Sequence, residues 1–145
     1  MRDHSIRFKT ELFDYKGEIP EDANAGNRFY GKDVDELLVN GMSRSSFSMD
    51  FIDEDWGWTV FGRSNDGRFI EVAIYNLSAN GTPGQSETNE WGLWIRAFEK
   101  RRWLAIFKRN YEIECPKDMM AALHVALSGA GIKPVEWLER GQSAA

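Results

Sequence analysis

From Phe47 to Ile95 apolar residues fall on every second position, in four successive stretches separated by turn-forming residues. Phe47, Met49 and Phe51 share one face of the first stretch, with Ser46, Ser48 and Asp50 on the other. Trp56, Trp58 and Val60 repeat the pattern, as do Ile70, Val72 and Ile74, and then Trp91, Leu93 and Ile95. A period of two sends side chains to alternate faces of an extended chain, so each stretch reads as a half-buried strand. SNDG at 64–67 is a tight-turn signal, because Asp-Gly tolerates the positive φ values of a type I′ turn. NGTPGQSETNE at 80–90 reads as a long mobile loop. Strands following one another through turns predict an antiparallel meander.

The flanking segments change period. IRFKTELFDY (6–15) alternates loosely, with Ile6, Phe8 and Leu12 expected inward, and the polar KGEIPEDANAGN that follows reads as a loop. Asp33 suits a helix N-cap and Glu36 completes a capping box. Val34, Leu37 and Leu38 form an apolar stripe, and Gly41 stands where a C-terminal glycine belongs, which predicts a helix over about 33–41. A second helix starts with Pro116 in its first position and Asp118 in its first turn. Met120, Leu123 and Leu127 form its stripe, widened by Met119 and Ala126, and Gly129 and Gly131 stop it. IKPVEWL (132–138) reads as an extended tail packing Val135 and Trp137. The expectation is one α+β domain over 1–145, an antiparallel meander of about four to six strands with two helices on one face, and a frayed tail at about 140–145.

Composition narrows the chemistry. A chain of 145 residues, 42% hydrophobic and 28% charged, can bury a core without staples, and six Trp, nine Phe and four Tyr are many for that length. Cys115 is the single cysteine, so neither an intramolecular disulfide nor a thiolate-rich metal site can form. His4 and His124 lack metal-ligand spacing, and no metal or cofactor is expected. The opening MRDHSIRFKT lacks an apolar secretory core, and no run approaches the roughly 18 apolar residues of a membrane span. A cytoplasmic location without a membrane partner is expected.

The net charge of −5 conceals a division. Residues 11–60 hold twelve acids against Lys16, Arg28, Lys32 and Arg44, whereas residues 96–109 hold six cations against Glu99. Such polarity steers a charged partner or is neutralised within the fold. KRRWLAIFKR (100–109) has basic ends and an apolar centre, a pattern that meets phosphates or lies on an anionic membrane. Burial of Trp103 and Phe107, with the cations toward solvent or the acidic half, is the expected arrangement, and nucleic acid is not an expected partner.

Chemical motifs are few. Gly26, Gly31 and Lys32 have P-loop spacing, but Asp33 replaces the magnesium-binding hydroxyl, and Arg28, Phe29 and Tyr30 crowd a loop that must present bare N–H groups. Asp53, Glu54 and Asp55 form an acidic corner beside Trp56 and Trp58, without the interleaved spacing of a calcium loop. An apolar wall beside a carboxylate can raise its pKa for acid–base work, whereas an acidic turn that is merely solvated is more common. Cys115 has no evident basic partner, and no serine-elbow or zinc-protease motif occurs.

NRFYG (27–31), DEDWGW (53–58) and LHVALSGAGIKPVEW (123–137) resemble segments of small, stand-alone bacterial proteins of unassigned function. In that group the first stretch enters a helix and the second opens a hairpin, and the resemblance carries no activity. The reading that follows is a non-enzymatic bacterial protein-binding module in an immunity or inhibitor role, acting on another protein with a basic surface. Its contact residues would be Asp53, Glu54, Asp55 and Trp56, with Arg28 and Tyr30 beside them; no catalytic residue is assigned. The alternative is a small enzyme, or a ligand or metal binder, using Asp53, Glu54 and Asp55 beside Trp56 and Trp58.

Overall fold

The computed structural model describes residues 4–13, 15, 17–26, 29–77, 89–104 and 107–136, with the side chains of 103, 135 and 136 excepted. The fold is α+β. In chain order it runs β1 (His4–Lys9), α1 (Lys32–Met42), β2 (Ser48–Glu54), β3 (Gly57–Arg63), β4 (Arg68–Asn76) and β5 (Glu90–Trp103). It continues through β6 (Phe107–Ile113), α2 (Lys117–Gly129) and the two-residue β7 (Val135–Glu136). The sheet order is β2-β3-β4-β5-β1-β7, and β6 also pairs with β5. Every pairing is antiparallel, so β2 to β6 form the expected meander. The 80–90 stretch, except residues 89 and 90, and the 140–145 tail lie outside the described residues, as does Trp137.

One long strand organises the sheet. Along one edge β5 pairs with β4 through residues 91–99. Along the other, its first part pairs with β1 and its last part with β6. Alternation then builds continuous apolar rows across the strands. Trp58, Ile74, Leu93 and Ile6 lie in one row, and Val60, Val72 and Ile95 in the next. All seven are buried, each contributing about 1.5–3 kcal/mol of apolar burial. The helices cover this face with Val34, Leu38 and Met42 from α1 and Met119, Leu123 and Leu127 from α2. Arg68, at the start of β4, anchors α2 by donating to both Asp118 oxygens at 3.1 and 2.9 Å.

The aromatic surplus is divided between the faces. Away from the helices Trp56 stacks on Tyr75 with centroids 5.3 Å apart, and Tyr75 meets Trp94 edge-on at 4.5 Å. Phe69 stacks on Phe98 at 5.2 Å, with the Arg96 guanidinium above Phe98. These rings cover one another, which reduces the apolar area left to water.

Several local expectations give way. Gly31, not Asp33, is the N-cap of α1, and Asp33 Oδ1 accepts from the adjacent Val34 N–H. Pro116 is likewise the N-cap of α2 and not its first residue. Leu12 is 61% exposed, and Phe13 is buried in its place, in edge contact with Trp91. In the 64–67 turn only Gly67 has a positive φ, and Ser64 N–H donates to Arg68 C=O, a three-residue loop in place of type I′. Phe107 is 55% exposed, contrary to its expected burial.

Gly41 does not end its helix either; α1 continues to Met42. A Cβ at Gly41 would lie 2.5 Å from Ala126 Cβ, so glycine there allows α1 and α2 to approach. Gly129 has nothing within 4 Å of such a Cβ. Gly41→Ala is therefore expected to destabilise the fold by about 1–3 kcal/mol in urea unfolding, overpacking outweighing improved helix propensity. Gly129→Ala is expected to be neutral or to stabilise by up to about 1 kcal/mol.

Candidate functional site

The open end of the β2–β3 hairpin is closed by the preceding loop. Asp55 and Trp56 form the turn, since Glu54 pairs with Gly57. Ala23–Gly26 makes a tight turn against it, with Asn24 at φ 52° and Ala25 at φ 53°. Asparagine tolerates this left-handed conformation better than most residues. The buried Asn24 side chain donates to Glu54 C=O at 2.9 Å and to Gly57 C=O at 2.5 Å. Its Oδ1 accepts from Phe29 N–H at 2.8 Å, and its own backbone N–H donates to Asp53 Oδ2 at 2.7 Å. Trp58 Nε1–H donates to Phe29 C=O at 2.9 Å, and Tyr30 O–H to Gly17 C=O at 2.7 Å. Gly31 sits against the Trp58 ring, where a Cβ would lie 2.9 Å from Cδ1.

This closure leaves a cleft of about 400 Å³. Ile19, Pro20, Phe29, Tyr30 and Trp58 supply its apolar wall, and Glu18, Asp22, Asp33, Glu36 and Asp53 contribute carboxylates. Lys32 is the one cation among the described lining residues. The arrangement suits a flat cationic group, which stacks on an aromatic ring while its N–H groups face carboxylates.

Asp35 stands next to this charge and outside the lining. It is fully buried on the apolar side of α1, and neither oxygen has a hydrogen-bond partner among the described residues. Burial, and after it the charges of Asp33, Glu36 and Asp53, push its carboxyl up to about 9. Asp35 is consequently neutral near pH 7.

Of the six residues expected to form the contact surface, the five that are described do not all meet at the cleft. Asp53 and Tyr30 line the cleft, each also holding the loop. Glu54 and Asp55 are absent from its described lining, and Arg28 lies outside the described residues. Trp56 departs from the expected face: it belongs to the turn, not to the alternating strand, and stacks on Tyr75 on the helix-free side. Among the described residues no group of three His, Cys, Asp or Glu side chains could hold a metal ion. Gly31 and Lys32, from the segment with P-loop spacing, line the cleft together with these acids.

Sequence reading missed Asn24, the cleft acids Glu18, Asp22 and Glu36, and Asp35. An asparagine inside ANAG and an aspartate three residues before Leu38 on the apolar stripe were the available signals. No protein-family model, curated protein or solved structure matches this chain.

Two outcomes test this geometry. Asn24→Ala leaves buried carbonyls unpaired and is expected to cost about 2–4 kcal/mol of unfolding free energy, measured in urea. Asp35 has a folded-state pKa above its unfolded one, so the folded chain holds the extra proton between the usual carboxylate value of 3.8 and about 9. Stability therefore declines with rising pH across that window. Asp35→Asn is expected to be more stable than the parent at neutral pH, the gap widening from about pH 5 to about pH 8 by at most ~1.4 kcal/mol per unit. Parallel stability–pH curves would count against an isolated buried carboxyl.

Proposed function

We propose that the chain is a non-enzymatic bacterial protein-binding module in an immunity or inhibitor role, and that its cleft receives an arginine or lysine side chain of a basic partner. The supporting observation is the cleft itself, with carboxylates around Phe29, Tyr30 and Trp58. A guanidinium is the side-chain group best matched to both features, and Tyr and Trp recur at the centres of protein interfaces. The acids of residues 11–60 would speed encounter with a basic surface. The immunity or inhibitor role rests on the segregated charge of the sequence.

The cleft volume lies within the range of small-molecule sites and favours a second reading, a small enzyme or ligand binder for an organic cation beside Asp53 and Trp58.

NMR titration distinguishes these readings. An arginine-rich peptide is expected to shift the Trp58 indole N–H resonance, and a glutamate-rich peptide is not. Asp22→Asn combined with Glu36→Gln, both exposed and both lining the cleft, is expected to weaken binding at least about fivefold. Free arginine amide binding as tightly as the peptide would favour the second reading. An unmoved Trp58 resonance with every cation would contradict both.

A further inference from the structure

The helix-free face of the sheet carries another cavity, of about 460 Å³, at the opposite end of β3 from Trp58. Register assembles its lining. Phe61 lies opposite Glu71, and in the next row of the same face Arg63 lies opposite Phe69. Lys100 follows Phe98 by two residues on β5 and pairs with Asn110 of β6, so both stand on this face as well. The β3–β4 turn adds Ser64, Asn65 and Gly67. Ser64 N–H donates to Arg68 C=O at 2.9 Å, and Lys100 N–H to Gly67 C=O at 3.1 Å. These two bonds fix the turn against β5.

Its polarity is the reverse of the cleft's. Arg63, Arg68 and Lys100 line it, and Glu71 is the one carboxylate among the described lining residues. Arg96 reaches Glu71 at 3.3 Å, and Arg68 is taken up by Asp66 and Asp118. Arg63 and Lys100 are exposed and have no carboxylate partner among the described residues. The carboxamides of Asn65 and Asn110 likewise have no hydrogen-bond partner among the described residues. Two unneutralised cations and two unused carboxamides therefore border one cavity.

The apolar part of the lining is aromatic. Phe61 and Phe69 are half-buried, and stacking on Phe98 steadies Phe69. A flat ring fits beside such side chains, whereas a bilayer is entered by apolar groups that protrude. Acids border the patch across the strands: Asp50 stands opposite Phe61 on β2, and Glu112 opposite Phe98 on β6. A polyanion crossing the sheet meets both acids, and a compact anion ends between them.

We propose that this cavity binds a small phosphate monoester with a flat aromatic body, the class that includes mononucleotides. A phosphate monoester carries about −1.5 to −2 charges near pH 7, which matches Arg63 and Lys100 together. A carboxylate, with one charge, leaves one of them unmatched. The guanidinium offers a planar fork to two phosphate oxygens, and the ammonium a point charge. The body lies against Phe61 and Phe69, and the carboxamides, each able to donate and accept, meet its polar edge. The cavity volume falls in the range of small-molecule sites.

NMR titration of the full chain with phenyl phosphate and with adenosine monophosphate tests this. Saturable shifts of the Asn65 and Asn110 side-chain amides are expected, with a Kd of about 1 mM or below that weakens with salt. Tighter binding of the nucleotide identifies a base as the body, and tighter binding of phenyl phosphate a simpler ring. Benzoate and inorganic phosphate are each expected to bind at least about fivefold more weakly than the tighter of the two. Arg63→Gln with Lys100→Gln, both at exposed positions, is expected to lower affinity at least about tenfold without loss of thermal stability. The cleft pair Asp22→Asn and Glu36→Gln is expected to bind these phosphates as the parent does, which separates this site from the cleft. No saturable shift, undiminished binding by the Arg63 and Lys100 variant, inorganic phosphate or benzoate binding as tightly as the esters, or a single-stranded DNA oligomer binding more tightly than the mononucleotide would overturn the proposal.

Discussion

The carboxamide of Asn24 joins two parts of the chain by accepting from Phe29 N–H and donating to the carbonyls of Glu54 and Gly57. Its backbone N–H adds a bond to the Asp53 carboxylate. Four bonds from one buried residue fix the path of the loop over the hairpin end. That path brings Phe29 C=O to the Trp58 indole and Gly31 onto its ring. Gly31 is in turn the N-cap of α1, so the hairpin contact and the start of the helix are one arrangement.

Much of the fold was legible because it follows from local periodicity. Ile70, Val72 and Ile74 alternate without interruption, and all three are fully buried. Leu123 and Leu127 repeat at helical spacing and face the sheet. The failures occur where a tertiary contact outranks a local rule. Asp33 has the chemistry of a cap, but the backbone turns at Gly31 because the Trp58 ring leaves no room for a side chain there. Gly41 looks like a stop, yet it is the point where α1 meets Ala126 of α2. Trp56 is in step with Trp58 in sequence, but the two-residue turn puts it out of step in space.

The site was less legible for the same reason. Asp53 and Tyr30 were identifiable as unusual residues, but their neighbours Glu18, Asp22 and Glu36 come from other turns of the chain. Asp35 shows the cost of that convergence. A carboxyl on the buried side of α1 is held neutral by its surroundings, and the acids that line the cleft add to the cost of ionising it. Carboxylates gather at the cleft beside Trp58, and cations face one another across the β5–β6 pairing beyond Arg68.

Native-state hydrogen exchange at the Asn24 and Phe29 amides and at the Trp58 indole tests most directly whether the cleft is preformed. If the Asn24 bonds hold it, these protons exchange only through openings that also release the amides of β4, at comparable protection. Exchange at the rates of an unstructured peptide while β4 remains protected would contradict a preformed cleft, and with it a binding site organised before its partner arrives.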